Sequence, residues 1–447
     1  MSWSKVSDWR WERPIDGIEG YFVLTGSLSA AACNGRQHYT LFARAPVELN
    51  VPGADVESAL QQAWTQLRYE QPQIATTVEG KTKVYQVPDE AALREWLALT
   101  FVVSSATDAE VLWDTVPPIT QTTLYYLPKS SELVLRGHHY VLDGIGLLML
   151  LDRYLNALAN PATENITFGD EVTRLAPPLG EVLGVPDQPT SEQTEKVTSL
   201  LMGYATKVPG IGPVSKVNRA PAGTCRNIRL TFPPQTTEAI VEACKEKGIT
   251  VTSAVHAAYI QTLTKLADPS TPSSHYVTSA SFDLRRYLPK PYGSAQYAAS
   301  VWYSPLPFHV DLPVSFWDTA SALSKFYRTS FRDDPALRLT TPHYNRFMET
   351  VAGSPEYQQT PIPHDALPSS LGIVERYVQR EYGATVTVRD LMVGVDVVLG
   401  MSMFFISTFR DKLQVVYSFN DGYEEPADVD RCLEGIRNVL IEELLVR

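Results

Sequence analysis

Leu133-Val134-Leu135 reads as a buried strand, and the run from Gly144 to Leu158 reads as a strongly apolar helix. Between them stand Arg136-Gly137-His138-His139-Tyr140-Val141-Leu142-Asp143-Gly144. Within this one stretch the chain must leave a sheet, turn, and open a buried helix, so it ties three kinds of structure to one point. Upstream, Thr122 to Leu127 alternates as a strand, and Lys129-Ser130-Ser131-Glu132 supplies the turn that pairs it with residues 133 to 139. The same stretch spells His-His-x-x-x-Asp-Gly. A histidine at the end of a buried strand suits a general base, because its unperturbed pKa lies near neutrality, and an acid shortly after it can fix the turn. A lone histidine or a lone Asp-Gly reads as core packing or a simple turn. The full combination arises by chance in roughly one chain in a thousand of this length, which favours chemistry over packing.

Around this point the chain splits into two comparable halves. In the first, residues 39 to 44 read as a strand, and Asp55 to Arg68 as a helix through Val56, Leu60, Ala63, Trp64 and Leu67. Asp89 to Leu99 reads as another helix. Residues 160 to 222 are punctuated by prolines and hold one convincing helix, about Ser191 to Thr206, which implies a crossover. The second half restarts with a strand at Arg226 to Phe232 and helices at Thr236 to Lys247 and Thr252 to Ala267. Strands follow at Tyr276 to Leu284 and Val301 to Leu312, then a helix from Ser315 to Phe331. A hairpin turns around Arg410-Asp411-Lys412, and a helix from Asp428 to Leu445 closes the chain. The expected fold is α/β of the α+β type, with mixed sheets flanked by helices. The expected division is a first lobe at 1–190, a crossover at 191–222 and a second lobe at 223–447.

Charge and cysteine content narrow the function classes. A formal net charge of -12 without clustered Lys and Arg argues against a nucleic-acid partner. Cys33, Cys225, Cys244 and Cys432 are scattered, with no metal-ligand spacing, and read as reduced core residues; no metal site is expected. The longest apolar run, Val393 to Ile406, is broken by Asp396 and is too short to span a bilayer, so no membrane span is expected. Met1 to Glu19 carries Trp3, Trp9 and Trp11 rather than the apolar core of a signal peptide, so the mature chain is expected to start there and to be cytoplasmic. Without such a signal, the acceptor tripeptide Asn165-Ile166-Thr167 carries little weight.

The strand-terminal His-His-x-x-x-Asp-Gly, the crossover, and Asp283-Leu284-Arg285 in the second half together resemble the chloramphenicol-acetyltransferase-like superfamily. Its two-lobed members include the BAHD acyltransferases, the condensation domains of peptide synthetases, and fungal acetyltransferases such as those acting on trichothecenes. The resemblance implies two pseudo-equivalent lobes with an active-site tunnel between them. It implies that His139 faces the tunnel as catalytic base and that His138 supports the loop. Asp143 is then a structural acid paired with Arg285 from the other lobe, Arg286 being the alternative, and Gly144 relieves crowding in the turn. The second BAHD signature, Asp-Phe-Gly-Trp-Gly, is reduced here to Asp390-Leu391-Met392-Val393-Gly394, which points away from the plant-type enzymes.

The implied reaction is transfer of an acyl group, expected to be acetyl, from a CoA thioester to a hydroxyl of a small secondary metabolite. Acyl-CoA is then a co-substrate, no cofactor stays bound, and a monomer is expected. Two alternatives share the same histidine: a stand-alone condensation-like enzyme forming an amide or ester from a carrier-bound thioester, and a cyclase or binding protein reusing the fold. Ser402, before the last hairpin, is a weak candidate oxyanion donor, and its ordinary reading is a strand-edge hydroxyl. Trp302, Tyr303 and Phe308 are candidates for an apolar acceptor wall. His256, His309 and His343 have no partner pattern and are expected to be structural or exposed.

Overall fold

The computed structural model describes residues 2–51, 55–163, 166–363 and 365–446; Asn165, which begins the acceptor tripeptide, lies outside them. The hairpin Thr123–Leu127 and Glu132–His138 stands at the centre of a seven-stranded mixed sheet. Leu124 sits opposite Leu135 and Tyr125 opposite Val134, so both arms bury their side chains. The strand Thr40–Leu49 pairs antiparallel with Glu132–His138 and ends the ladder with Thr40 opposite His138. It runs past the expected end at Arg44 because Ala45 and Val47 still face the core, a signal that Pro46 and Glu48 break in the sequence.

Two strands from the second half, Val386–Val388 and Met392–Asp396, also pair antiparallel with Thr40–Leu49. The sheet that carries the histidines is therefore completed by chain from far downstream. Gly394 makes this possible, since a Cβ there would lie 2.4 Å from the Phe42 ring. That close approach accounts for the surviving glycine of the degenerate signature, while Asp390 is ion-paired with Arg229 at 2.6 Å.

A second sheet joins Leu367–Ile373, Met403–Phe409, Lys412–Asn420 and Cys225–Thr231 in that order; its first pair is parallel and the others antiparallel. Its tight hairpin places Arg410 and Asp411 at φ 48° and 62°, the left-handed pair that matches strand twist. Helices Val251–Leu266 and Pro426–Leu444 pack on it, with Tyr259 and Phe404 rings 4.7 Å apart. His256 lies in that core and bonds Tyr276 and Tyr327 through its two ring nitrogens at 2.9 and 3.0 Å. A two-stranded ribbon, His275–Asp311 at its open end and Asp283–Tyr303 at the other, brings Arg285 and Trp302 toward the first sheet.

Two long helices have no counterpart in the sequence reading, nor do the short ones Ala109–Thr115, Leu179–Val182 and Pro355–Gln358. Gly17–Ala32 is capped by Asp16 and Glu19 in a reciprocal box, and it packs against Pro335–Ala352. Its composition, rich in Gly, Ser and Thr, disfavours a helix locally. Packing overrides that preference: a Cβ on Gly17 would meet the Arg346 backbone at 2.3 Å. Among the described residues no helix is long and apolar enough to cross a membrane. All four cysteines are free thiols.

Candidate active site

Alternation along the strand Glu132–His138 sends consecutive histidines to opposite sides. His138 is buried, its Nε2 lies 2.9 Å from the carbonyl of Ile119, and its ring stacks on Tyr140. His139 comes just after the ladder ends and is half-buried. Its ring lies parallel to Phe22, with centroids 3.9 Å apart and planes within 6°, and Tyr303 stacks alongside at 5.4 Å. The edge of Tyr39 approaches at 6.3 Å. Nδ1 is buried beside the backbone of His139 and Leu142 without a hydrogen bond of good geometry, so Nε2 is the nitrogen left open to a substrate. Burial lowers the His139 pKa to about 4, with Asp143 and the adjacent backbone pulling weakly the other way. The ring is thus a neutral imidazole near pH 7, the form that accepts a proton.

The turn after His139 is closed by backbone bonds from Val141 and Leu142 to the His138 carbonyl. Asp143 then caps the helix Gly144–Ala159: its Oδ1 accepts from Gly146 N at 2.8 Å. The same carboxylate accepts from Arg285 Nη1 at 2.9 Å to each oxygen, and Oδ2 accepts from Trp302 N at 2.9 Å. Asp143 N donates to the Ser300 carbonyl. Arg285 is held further by Asp283 at 3.0 Å and by Ser300 Oγ at 3.0 Å, and Trp302 lies under its guanidinium. Arg286 instead donates to the Tyr287 hydroxyl. The segment 298–302 lies so close that a Cβ on Gly146 would be 2.4 Å from the Ala298 carbonyl, whereas one on Gly144 would meet only a Leu371 methyl at 3.1 Å. Gly146 is therefore the more constrained glycine, and the motif alone gives no sign of it.

The structure gathers His138, His139, Asp143, Gly144 and Arg285 at one junction and gives Ser402 other partners. Ser402 is buried, and its hydroxyl donates to Glu424, which also accepts from the Tyr417 hydroxyl at 2.9 Å. Of the proposed apolar wall only Tyr303 reaches His139. Trp302 packs on Arg285, and Phe308 packs against Phe326 and His256. His309 is exposed on its strand, and His343 is buried in Pro335–Ala352.

A buried ionic network missed by sequence reasoning supports the His139 loop from behind. Glu19 accepts from Arg13 at 2.7 and 2.8 Å and from Lys83 Nζ at 2.7 Å, and Lys83 also donates to the Tyr140 carbonyl at 2.8 Å. Glu19 belongs to the helix that presents Phe22, so one carboxylate links the Phe22 helix to the backbone next to His139. Burial opposes ionisation of Glu19, yet Arg13 and Lys83 hold its pKa down at about 2. Only the capping pattern Asp16-x-x-Glu19 was available as a local signal. Lys83→Met is expected to lower stability by about 2 kcal/mol, as loss of a buried charged hydrogen bond does, and to reduce turnover; denaturant unfolding and steady-state rates measure the two. Lys83→Arg should recover part of both, and an unchanged rate in Lys83→Met would detach the network from the loop.

Comparison with known proteins follows this geometry. The sequence model of the family described as "15-O-acetyltransferase Tri3" matches residues 109–307, a span that includes both His139 and Arg285. The acetyltransferase pigO of Monascus ruber is 27% identical across 100% of this chain and 99% of its own length. The O-acetyltransferase pigM of the same organism is 26% identical across 100% of this chain and 88% of its own length. Among solved structures, the TRI3 trichothecene 15-O-acetyltransferase from Fusarium sporotrichioides superposes with a TM-score of 0.84 at 18% identity, covering 99% of this chain and 97% of that one. The first condensation domain of the CDA synthetase gives 0.65 at 16% identity, covering 97% of each chain. The chain is an O-acyltransferase that shares its fold with the TRI3 enzyme and the condensation domain, and it is similar along its whole length to the fungal O-acetyltransferases.

Proposed function

We propose that the protein moves an acetyl group from acetyl-CoA to a hydroxyl of a small fungal secondary metabolite, with His139 as the general base. The observation that carries this reading is the setting of His139: a neutral ring, sealed at Nδ1 and open at Nε2, held by stacking on Phe22 and Tyr303. Nε2 takes the acceptor's hydroxyl proton as the oxygen attacks the thioester carbonyl. The tetrahedral adduct expels the CoA thiolate, and the imidazolium returns the proton to it, giving ester and free thiol with no enzyme-bound intermediate. Much of the rate then comes from holding alcohol and thioester together. In this reading the lobes 1–190 and 223–447, joined by 191–222, enclose the two substrates, and the Asp143 and Arg285 pair is the joint beside the base. Incubating the purified protein with acetyl-CoA and a panel of alcohols, and following free thiol and ester together, tests the reaction; thiol release without ester, or neither, would overturn it.

The depressed pKa of His139 sets a pH signature. A base must be unprotonated to act, and burial keeps this one neutral well below the usual histidine range, to about pH 4. The kcat/KM for the alcohol is therefore expected to stay flat from neutrality down to about pH 5 and to fall below it. An acid limb centred near pH 6.5 would mean that the working base is a solvated histidine and not His139 in this setting.

A further inference from the structure

In the proposed reaction His139 becomes a cation inside a junction that disfavours charge. The described residues offer it little ionic help. Asp143 is the charged group that acts on the ring, and its oxygens are already engaged by Gly146 N, Trp302 N and Arg285, whose own charge offsets it. No carboxylate of the described residues is ion-paired with His139, and Nδ1 makes no hydrogen bond of good geometry. Tyr39 and Tyr303, the other titratable groups beside the ring, stay neutral, since burial pushes both hydroxyls well above their usual range. What covers the imidazole is the face of Phe22.

The geometry of that contact is unusual for two neutral rings. Neutral aromatic pairs favour offset or edge-to-face arrangements with centroids about 4.5–7 Å apart, because two electron-rich faces repel. Phe22 and His139 lie face to face, with 3.9 Å between centroids and 6° between planes. Edge-on packing is used freely around them: Tyr21 meets Phe22 at 73° and Tyr39 meets it at 87°, 5.4 and 5.6 Å away. The close parallel stack suits a cation, since a positive charge within about 6 Å of a phenyl face is drawn to it, the more so where water is excluded. The stack is also held firmly. Phe22 is 4% exposed on the helix Gly17–Ala32, which packs against Pro335–Ala352. Tyr39, perpendicular to both rings, reaches its place with φ 64°, a conformation costly for a bulky side chain and of the kind that collects at functional sites.

We propose that Phe22 acts through His139 as a positioning residue whose π face stabilises the imidazolium more than the neutral imidazole, so that an uncharged side chain lowers the barrier to proton transfer. Its part in turnover rests on the acyl-transfer reading. The preference for the cation does not, since it applies to any proton that the ring takes up. Unlike a carboxylate in the same place, a phenyl face offers the acceptor's hydroxyl no rival base.

The test replaces Phe22 by phenylalanines carrying one, two and three ring fluorines, which keep the shape and drain negative charge from the face in steps. The proton affinity of His139 is read by NMR titration of protein carrying isotope-labelled histidine, with the resonance assigned by its loss in His139→Gln. It is expected to fall in steps by about tenfold in all, as for a buried cation that loses its ring. With acetyl-CoA and an alcohol that wild type acetylates, kcat/KM should fall in the same steps by about threefold, because only part of the charge has reached the ring at the transition state. Thermal unfolding at neutral pH, where the ring is uncharged, reads packing alone and should hold constant. A proton affinity that ignores fluorination would overturn the proposal, as would a ring that gains no proton before the protein unfolds. So would a level kcat/KM, or a melting temperature that falls in the same steps and assigns the loss to packing. If wild type acetylates no alcohol, the acyl-transfer reading fails by itself, and the NMR series still decides whether the face of Phe22 holds the charge.

Discussion

His139→Ala is expected to lower kcat by about 10²–10⁴, the usual contribution of a positioned general base, with little change in KM for acetyl-CoA. In the proposed mechanism the ring takes the proton only as the alcohol attacks, so its contribution belongs to the transition state and not to ground-state binding of the thioester. The loss stops short of the background rate because the two substrates are still held together. Asp143 adds to the effect at a distance: its charge favours the imidazolium that forms during the reaction, against the burial that disfavours it. His139→Gln separates proton transfer from packing, since it fills more of the space beside Phe22 yet supplies no base of suitable pKa. It should therefore be as inactive as His139→Ala while losing less stability to the emptied stack. Measured as ester formed per enzyme, full activity in either variant would remove His139 from the mechanism.

The part of this site that is local in sequence is legible there. Strand, paired histidines, acid and glycine occupy one stretch, because the backbone itself carries the chain from sheet end to helix cap. The order of strands and helices is legible for the same reason from Cys225 to Thr329 and again from Met403 to Leu444, where each has its own apolar period. The helix Pro335–Ala352 and the strands Leu367–Ile373, Val386–Val388 and Met392–Asp396 between them are not. Phe22 is not legible. It stands on a helix of weak propensity, and its place over His139 is set by packing with Pro335–Ala352 and by the Glu19 network. Gly146 is hidden too, since only the approach of Ala298 shows why no side chain fits. Arg285 is found by likeness to a family and not by pattern, because one arginine at the end of a strand looks like any other until Asp143 is beside it. Ser402 shows the converse: a hydroxyl well placed in sequence is bonded to a buried glutamate in the fold.

Asp143→Ala is expected to destabilise the protein by about 3–5 kcal/mol, as breaking a buried ion pair from one side does. Roughly 1 kcal/mol of this is the lost helix cap to Gly146 N. The remainder comes from leaving the Arg285 guanidinium, 4% exposed, with Asp283 and Ser300 alone, and from the unmet Trp302 N. Arg285→Met leaves the carboxylate buried but still bonded to two backbone N–H groups, so it should cost less than Asp143→Ala. The decisive measurement is the cycle with Asp143→Asn and Arg285→Met in denaturant unfolding. Asn keeps an oxygen for the cap, and the double variant leaves only Asp283 without its cation, a loss it shares with Arg285→Met, so its cost should fall below the sum of the single costs by about 2 kcal/mol. Turnover gives a second handle on the same joint. Neither variant removes the imidazole, so an acid limb should remain, moved to lower pH in Asp143→Asn where the charge that favours the imidazolium is gone, while kcat falls as the turn loosens. Additive stabilities would show that the two side chains act independently and that the joint is held by its backbone bonds to Ser300 and Trp302; a coupled loss assigns it to the ion pair.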